Sequence, residues 1–215
     1  MSDSSDGAAM AIGGFACRRL AGRGPAIIAL HGSGADETTM LPLARAIAPH
    51  APVIAPRGRI DQDGERRWFR KLTPTRFDQA DIRREAAAFA AFLRELEQTG
   101  GVDLGSALLL GYSNGGNLVH ATMTLHPGLI FRAALLRCMP VLARAPRPDL
   151  SGAEILVVSG DGDQTYGPFA GRLVRLLRRR GARVEARVAA AGHLFGDEDA
   201  RLVRDWWRPP RAAAG

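Results

Sequence analysis

Short apolar runs occur at residues 26–30, 53–55, 107–110, 133–136 and 155–158. Each is too short for a helix of its own, and none alternates apolar with polar positions. That is how strands covered on both faces of a parallel sheet read. A weaker run at 184–188 alternates with charged residues and suggests an edge strand; residues 11–20 suggest another. Between the runs the apolar spacing turns helical. Over 78–98, Ile82, Ala86, Phe89, Leu93 and Leu96 form one stripe, while Arg83, Arg84, Glu95 and Glu97 lie elsewhere on the cylinder. Gly100-Gly101 ends that pattern. Over 168–180 the stripe is Phe169, Leu173, Leu176 and Leu177, closed by Gly181. A further helix over 197–207 turns Leu202, Val203 and Trp206 inward and stops before Pro209-Pro210.

Strands alternating with helices imply an α/β domain with a mostly parallel sheet. Such sheets carry their sites at the carboxyl ends of the strands. No internal repeat or composition break divides the chain, so residues 11–215 are expected to form one domain after a loose tail over 1–10.

Composition narrows the partners. The chain has 215 residues, 46% hydrophobic and 24% charged, as in an ordinary globular protein. Its net charge is +7, nearly all from arginine, since Lys71 is the only lysine. The arginines are dispersed, and Arg178-Arg179-Arg180 closes a helical pattern, where positive charge suits the helix dipole. A nucleic-acid partner is therefore not expected. The N-terminus has no basic stretch followed by an apolar one, and no run is apolar enough to span a bilayer, so a cytoplasmic protein without a membrane partner is the default expectation. Cys17 and Cys138 are far apart and suggest no disulfide framework.

The strongest chemical signal runs from Leu108 to Leu118: a buried strand, then Gly111-Tyr112-Ser113-Asn114-Gly115, then a helix expected over 117–125. A serine nucleophile needs a tight turn that lifts its hydroxyl clear of the sheet, with glycines where flanking side chains would collide. The helix N-terminus behind it favours developing negative charge. The second signal is His31-Gly32-Ser33-Gly34-Ala35-Asp36, directly after a strand. An oxyanion hole needs two backbone N–H groups aimed at one point. Asn114, following the nucleophile, and Ser33 are the candidates.

A hydroxyl needs a base, and the base an orienting carboxylate, in the chain order serine, acid, histidine. Five histidines are available. His31 belongs to the oxyanion loop. His50 and His126 adjoin prolines at expected helix ends, and His120 lies on the helix behind Ser113. His193, on a loop between the last strand and the last helix, is left as the base. After the strand at 155–158 comes Ser159-Gly160-Asp161-Gly162-Asp163-Gln164. Either aspartate can be the acid, with Asp163 favoured for its reach and Asp161 as the alternative. Asp-Gly-Asp also resembles the start of a calcium loop, but Thr165 and Tyr166 stand where ligands or glycine would follow. No zinc spacing is present, so no metal or cofactor is expected.

These motifs resemble the small carboxylesterase/phospholipase family of α/β hydrolases, which includes acyl-protein thioesterases. The resemblance spans residues 26–207 and rests on His31 to Asp36, Pro56-Arg57-Gly58, Arg67-Trp68-Phe69-Arg70, Gly111 to Gly115, Gly160-x-x-Asp163 and Gly192-His193. The Trp-Phe pair and the Gly-Tyr-Ser-Asn-Gly form look most like a bacterial branch linked to hydroquinone or catechol stress. The resemblance implies an α/β-hydrolase fold and a metal-free esterase acting on small-molecule esters, with a homodimer as a possible assembly. It supports Asp163 as the acid. Gln164 departs from the proline that the family usually places after it.

Residues 139–153 leave little room for a lid between two central strands. Trp68 and Phe69, on a loop after the strand at 53–55, and Met139 are expected to wall an acyl pocket. The expected reaction is hydrolysis of short-chain carboxylic esters through an acyl-serine intermediate. The alternatives are a thioesterase or lysophospholipase with the same machinery, or a basic binding protein on a hydrolase scaffold.

Overall fold

The computed structural model describes residues 7–207. The chain opens with a hairpin, β1 (Ala8–Ile12) and β2 (Phe15–Leu20). It continues through β3 (Ile27–Leu30), α1 (Leu41–Ile47) and β4 (Val53–Pro56). Two small ribbons follow, β5 (Ile60–Gln62) with β6 (Glu65–Arg67), and β7 (Lys71–Thr73) with β8 (Arg76–Phe77). Then come α2 (Gln79–Thr99), β9 (Leu108–Tyr112), α3 (Asn114–Leu125), β10 (Arg132–Leu136), β11 (Glu154–Gly160), α4 (Gly167–Arg178), β12 (Arg183–Ala189) and α5 (Asp197–Trp206).

The main sheet has eight strands in the order β1-β2-β4-β3-β9-β10-β11-β12. From β4 to β12 every neighbour pair is parallel; β1 with β2 and β2 with β4 are antiparallel. The apolar runs are its central strands, and they are buried on both faces because alternate residues serve two different cores. Ile28, Leu30, Leu109, Leu135, Ile155 and Val157 face α2, α3 and α4 through Phe89, Leu93, Leu118 and Leu173. Ile27, Leu108, Leu110, Leu136, Leu156 and Val158 face α1 and α5 through Leu41, Ile47 and Val203. Each such side chain contributes about 1.5–3 kcal/mol by leaving water.

The helix expected over 78–98 is α2. Asp78 caps it, its carboxylate accepting the N–H groups of Ala80 (2.9 Å) and Asp81 (3.0 Å). The weak run near 184–188 is β12, at the edge of the sheet. The N-terminal expectation needs correction. Residues 11–20 form parts of two strands, and residues 8–10, assigned to a loose tail, pair with Cys17, Arg18 and Arg19 across the hairpin. Two free, buried cysteines are present, Cys17 and Cys138.

Candidate active site

β9 delivers Ser113 at the carboxyl edge of the sheet, and α3 begins at the next residue rather than at the expected 117. Ser113 has φ 51° and ψ −117°, a conformation that costs a non-glycine residue on the order of 1–3 kcal/mol. Its surroundings hold it there. Its N–H donates to Leu136 O (2.9 Å), and its carbonyl accepts from Asn117 N (2.9 Å). The flanking glycines are required by close approach. A Cβ at Gly111 would lie 2.5 Å from Gly116 Cα, and one at Gly115 would lie 2.5 Å from His31 O. Gly116 is as tightly enclosed, since a Cβ there would lie 2.1 Å from Cys138 Sγ.

Ser113 Oγ lies 3.0 Å from His193 Nε2, and His193 Nδ1 lies 3.0 Å from Asp163 Oδ2. With the imidazole neutral, Nδ1–H donates to the carboxylate and leaves Nε2 free to accept from the serine hydroxyl. The other oxygen of Asp163 accepts the N–H groups of Thr165 and Tyr166, each at 3.0 Å. Burial pushes the Asp163 pKa up, but the Tyr166 N–H and the His193 hydrogen bond outweigh it, and the group is held below its ordinary value. The turn forms with Gln164 in place of proline because these two N–H groups close it. Asp161 is exposed and makes no side-chain hydrogen bond among the described residues. His31, His50 and His126 lie outside this chain of contacts. His120 is buried behind the serine, and neither ring nitrogen has a protein partner among the described residues.

The loop after β3 presses against the elbow. A Cβ at Gly32 would lie 2.8 Å from the Tyr112 ring and 3.5 Å from Ser113 Cβ. His31 shapes this loop: Nε2 accepts from Gly58 N (2.9 Å), so Nδ1 carries the proton donated to Gly32 O (2.6 Å). Burial lowers its pKa, in keeping with a neutral ring. Ser33 is exposed, and Arg67 donates to its Oγ at 2.6 Å. Asn114 is the first residue of α3, where backbone N–H groups have no intrahelical acceptor. The loop thus brings Gly32, the residue before Ser33, against the Ser113 side chain, and the helix start follows the serine directly with Asn114.

The residues expected to wall a pocket are packed in the interior. Trp68 and Phe69 are both 0% exposed and belong to the core with Phe15, Phe89 and Phe77. Met139 is buried as well. None of the three faces solvent above Ser113. Trp68 acts as a brace instead: its indole N–H donates to His31 O (2.9 Å), and its backbone N–H donates to Asn114 Oδ1 (2.8 Å). It thereby ties the loop of Ser33 to the residue after the nucleophile. Met139 N donates to Asn117 Oδ1 (2.8 Å), which fixes the chain as it leaves β10.

Arg137 and Asp199 were missed. Arg137 follows β10 with φ 52° and is 1% exposed. Its guanidinium meets Asp199 through two hydrogen bonds of 2.7 and 3.0 Å. Its Nε donates to Gly192 O at 3.0 Å, and Tyr112 OH donates to His193 O at 3.2 Å. Asp199 also accepts Gly196 N (2.9 Å). The loop bearing His193 is therefore held through its carbonyls on one side and through the start of α5 on the other. The sequence signal was an arginine directly after an apolar strand, where a charge is buried only with a partner.

No protein-family model matches the chain. A carboxylesterase of known structure from Mesorhizobium loti is 51% identical, with a TM-score of 0.87 over 89% of this chain and 93% of that one. The putative hydrolase MhqD of Bacillus subtilis is 28% identical over 188 residues, 85% of this chain and 92% of the relative. The carboxylesterase structure from Bacillus cereus shares the fold at a TM-score of 0.85 and 24% identity, over 90% of this chain and 93% of its own.

Proposed function

The chain belongs to the small carboxylesterase/phospholipase family of α/β hydrolases and is a carboxylic ester hydrolase; from that premise we propose that Ser113, His193 and Asp163 are its catalytic triad and that it prefers esters of short acyl chains. The observation that carries the assignment is the pair of 3.0 Å contacts, Ser113 Oγ to His193 Nε2 and His193 Nδ1 to Asp163 Oδ2, at a strained strand-to-helix turn.

Ser113 Oγ attacks the ester carbonyl while His193 Nε2 takes its proton. Asp163 holds the imidazole in the required tautomer and stabilises the imidazolium. The carbonyl oxygen, now negative, is met by the N–H groups of Ser33 and Asn114 and by the positive end of α3. His193 returns the proton to the departing alkoxide, leaving an acyl-serine. A water then gives its proton to His193 and attacks the acyl carbon, and collapse of that intermediate restores the serine hydroxyl. No step calls for a metal.

The acyl preference is supported by what closes the space around the serine. A chain directed between Trp68, Phe69 and Met139 would have to open the core. The segment between β10 and β11 contains no helix able to cover a long chain.

The test is labelling with a fluorophosphonate, followed by peptide mapping and p-nitrophenyl acetate hydrolysis. We expect the label on Ser113, and a loss on the order of a millionfold in rate for Ser113→Ala. Label on another residue, or more than a few per cent of activity in a folded Ser113→Ala, would refute the assignment.

A further inference from the structure

Among the described residues three arginines are buried: Arg67, Arg137 and Arg180. The first two face carboxylates, Glu65 and Asp199. Arg180 does not. Its Nη1 donates to the neutral hydroxyl of Thr124 at 3.0 Å, and it forms no ion pair among the described residues. A charge withdrawn from water without a counter-charge is costly. Burial accordingly lowers the Arg180 pKa, and nearby Arg147 lowers it further.

Arg180 lines a cleft of about 620 Å³ between α4 and residues 140–148. Arg147, Arg172 and Arg179 line it too, no carboxylate among the described residues does, and Leu142 and Leu176 supply apolar wall. Complementing the dipole of α4 accounts for only part of this grouping. Arg179 caps that helix and Arg180 follows it, but Arg172 lies in its middle. Arg147 comes from a different segment altogether. Four arginines therefore line a space to which the described residues bring no carboxylate.

We propose that this cleft binds a phosphate group, at a site separate from Ser113. A phosphate dianion offsets two like charges at once, and its oxygens match the forked N–H donors of arginine. The apolar wall suits the organic portion that carries the phosphate. That portion is either a small soluble molecule or a lipid, since both present the same head group.

The experiment uses the full chain and Arg147→Glu/Arg172→Glu. Both side chains are exposed and make no hydrogen bond or ion pair among the described residues, so the variant is expected to fold. Its p-nitrophenyl acetate hydrolysis, expected to match the unaltered chain, reports that it has folded. Should the charge reversal impair folding, Arg147→Ala/Arg172→Ala serves the same purpose. One arm is calorimetric titration with inorganic pyrophosphate at low and at physiological ionic strength. The other is co-sedimentation with phosphatidylcholine vesicles containing phosphatidic acid. Binding in either arm that persists at physiological ionic strength and weakens at least about tenfold in the variant supports the site, at the usual strength of a charge-assisted hydrogen bond. Pyrophosphate binding alone assigns a soluble phosphate; vesicle binding assigns a lipid head group. Absence of binding in both arms, equal binding by the variant, or binding that vanishes at physiological ionic strength overturns the proposal.

Discussion

Arg137→Met should separate what the buried ion pair does for stability from what it does for the histidine loop. The guanidinium is 0% exposed and its partner carboxylate 1%. Removing one member of such a pair leaves the other charged and buried, at a cost of about 3–5 kcal/mol. For a chain of this length that is a fall in melting temperature of about 10 °C. Arg137→Met/Asp199→Asn removes the stranded charge, keeps an acceptor for Gly196 N, and should recover most of that loss. Catalysis should not follow. Neither variant restores the 3.0 Å bond from Arg137 Nε to Gly192 O, on the residue before His193. A base displaced by roughly 1 Å costs about a hundredfold. We therefore expect kcat/KM for p-nitrophenyl acetate to stay about a hundredfold down in both variants, with KM little changed. Thermal melts and steady-state kinetics on the three proteins decide the matter. Return of kcat to the unaltered value in the double variant would show that Arg137 serves stability alone.

Three further outcomes are expected. Across p-nitrophenyl esters from acetate to palmitate, below their micelle concentrations, kcat/KM should level off or fall; a continuous rise of about 0.8 kcal/mol per methylene would indicate a long apolar channel and refute the short-chain reading. His120 is held neutral, its pKa pushed down to about 3 by burial and, less, by Arg180. The unfolded chain therefore binds the extra proton first, and stability should decline as the pH falls from about 6.5 towards 3. His120→Asn should flatten that part of a urea-midpoint profile, and an unchanged slope would refute the assignment. Dialysis against EDTA should leave the esterase rate unchanged, since no group of three or more potential ligands is found among the described residues; activity lost and then restored by zinc or calcium would contradict this.

The central sheet was legible because burial on both faces leaves an unbroken apolar run, and the elbow because its glycines record close backbone contacts. Ser113, His193 and Asp163 were singled out by chain order, by their places after strands on the same edge and, for Asp163 over Asp161, by reach and the family resemblance. The elements that escaped were small or lacked a period. The helix α1 has seven residues, and the ribbons over 60–77 are two or three residues per strand. The surroundings of Trp68 and Phe69 were not legible because an aromatic in a loop looks the same whether it faces a pocket or the core. The fold sets Phe15, Phe77 and Phe89 around them. Arg137 was overlooked because its partner lies 62 residues away.

The carbonyl anchoring of the histidine loop bears on how this site tolerates change. Arg137 and Tyr112 grip Gly192 O and His193 O, which every amino acid possesses, so side chains beside the base are released from positioning it. Leu194, next to His193 and 78% exposed, is one of them. That position is open to diversification: a library at residue 194 can vary the exposed surface beside the general base while the base keeps its place.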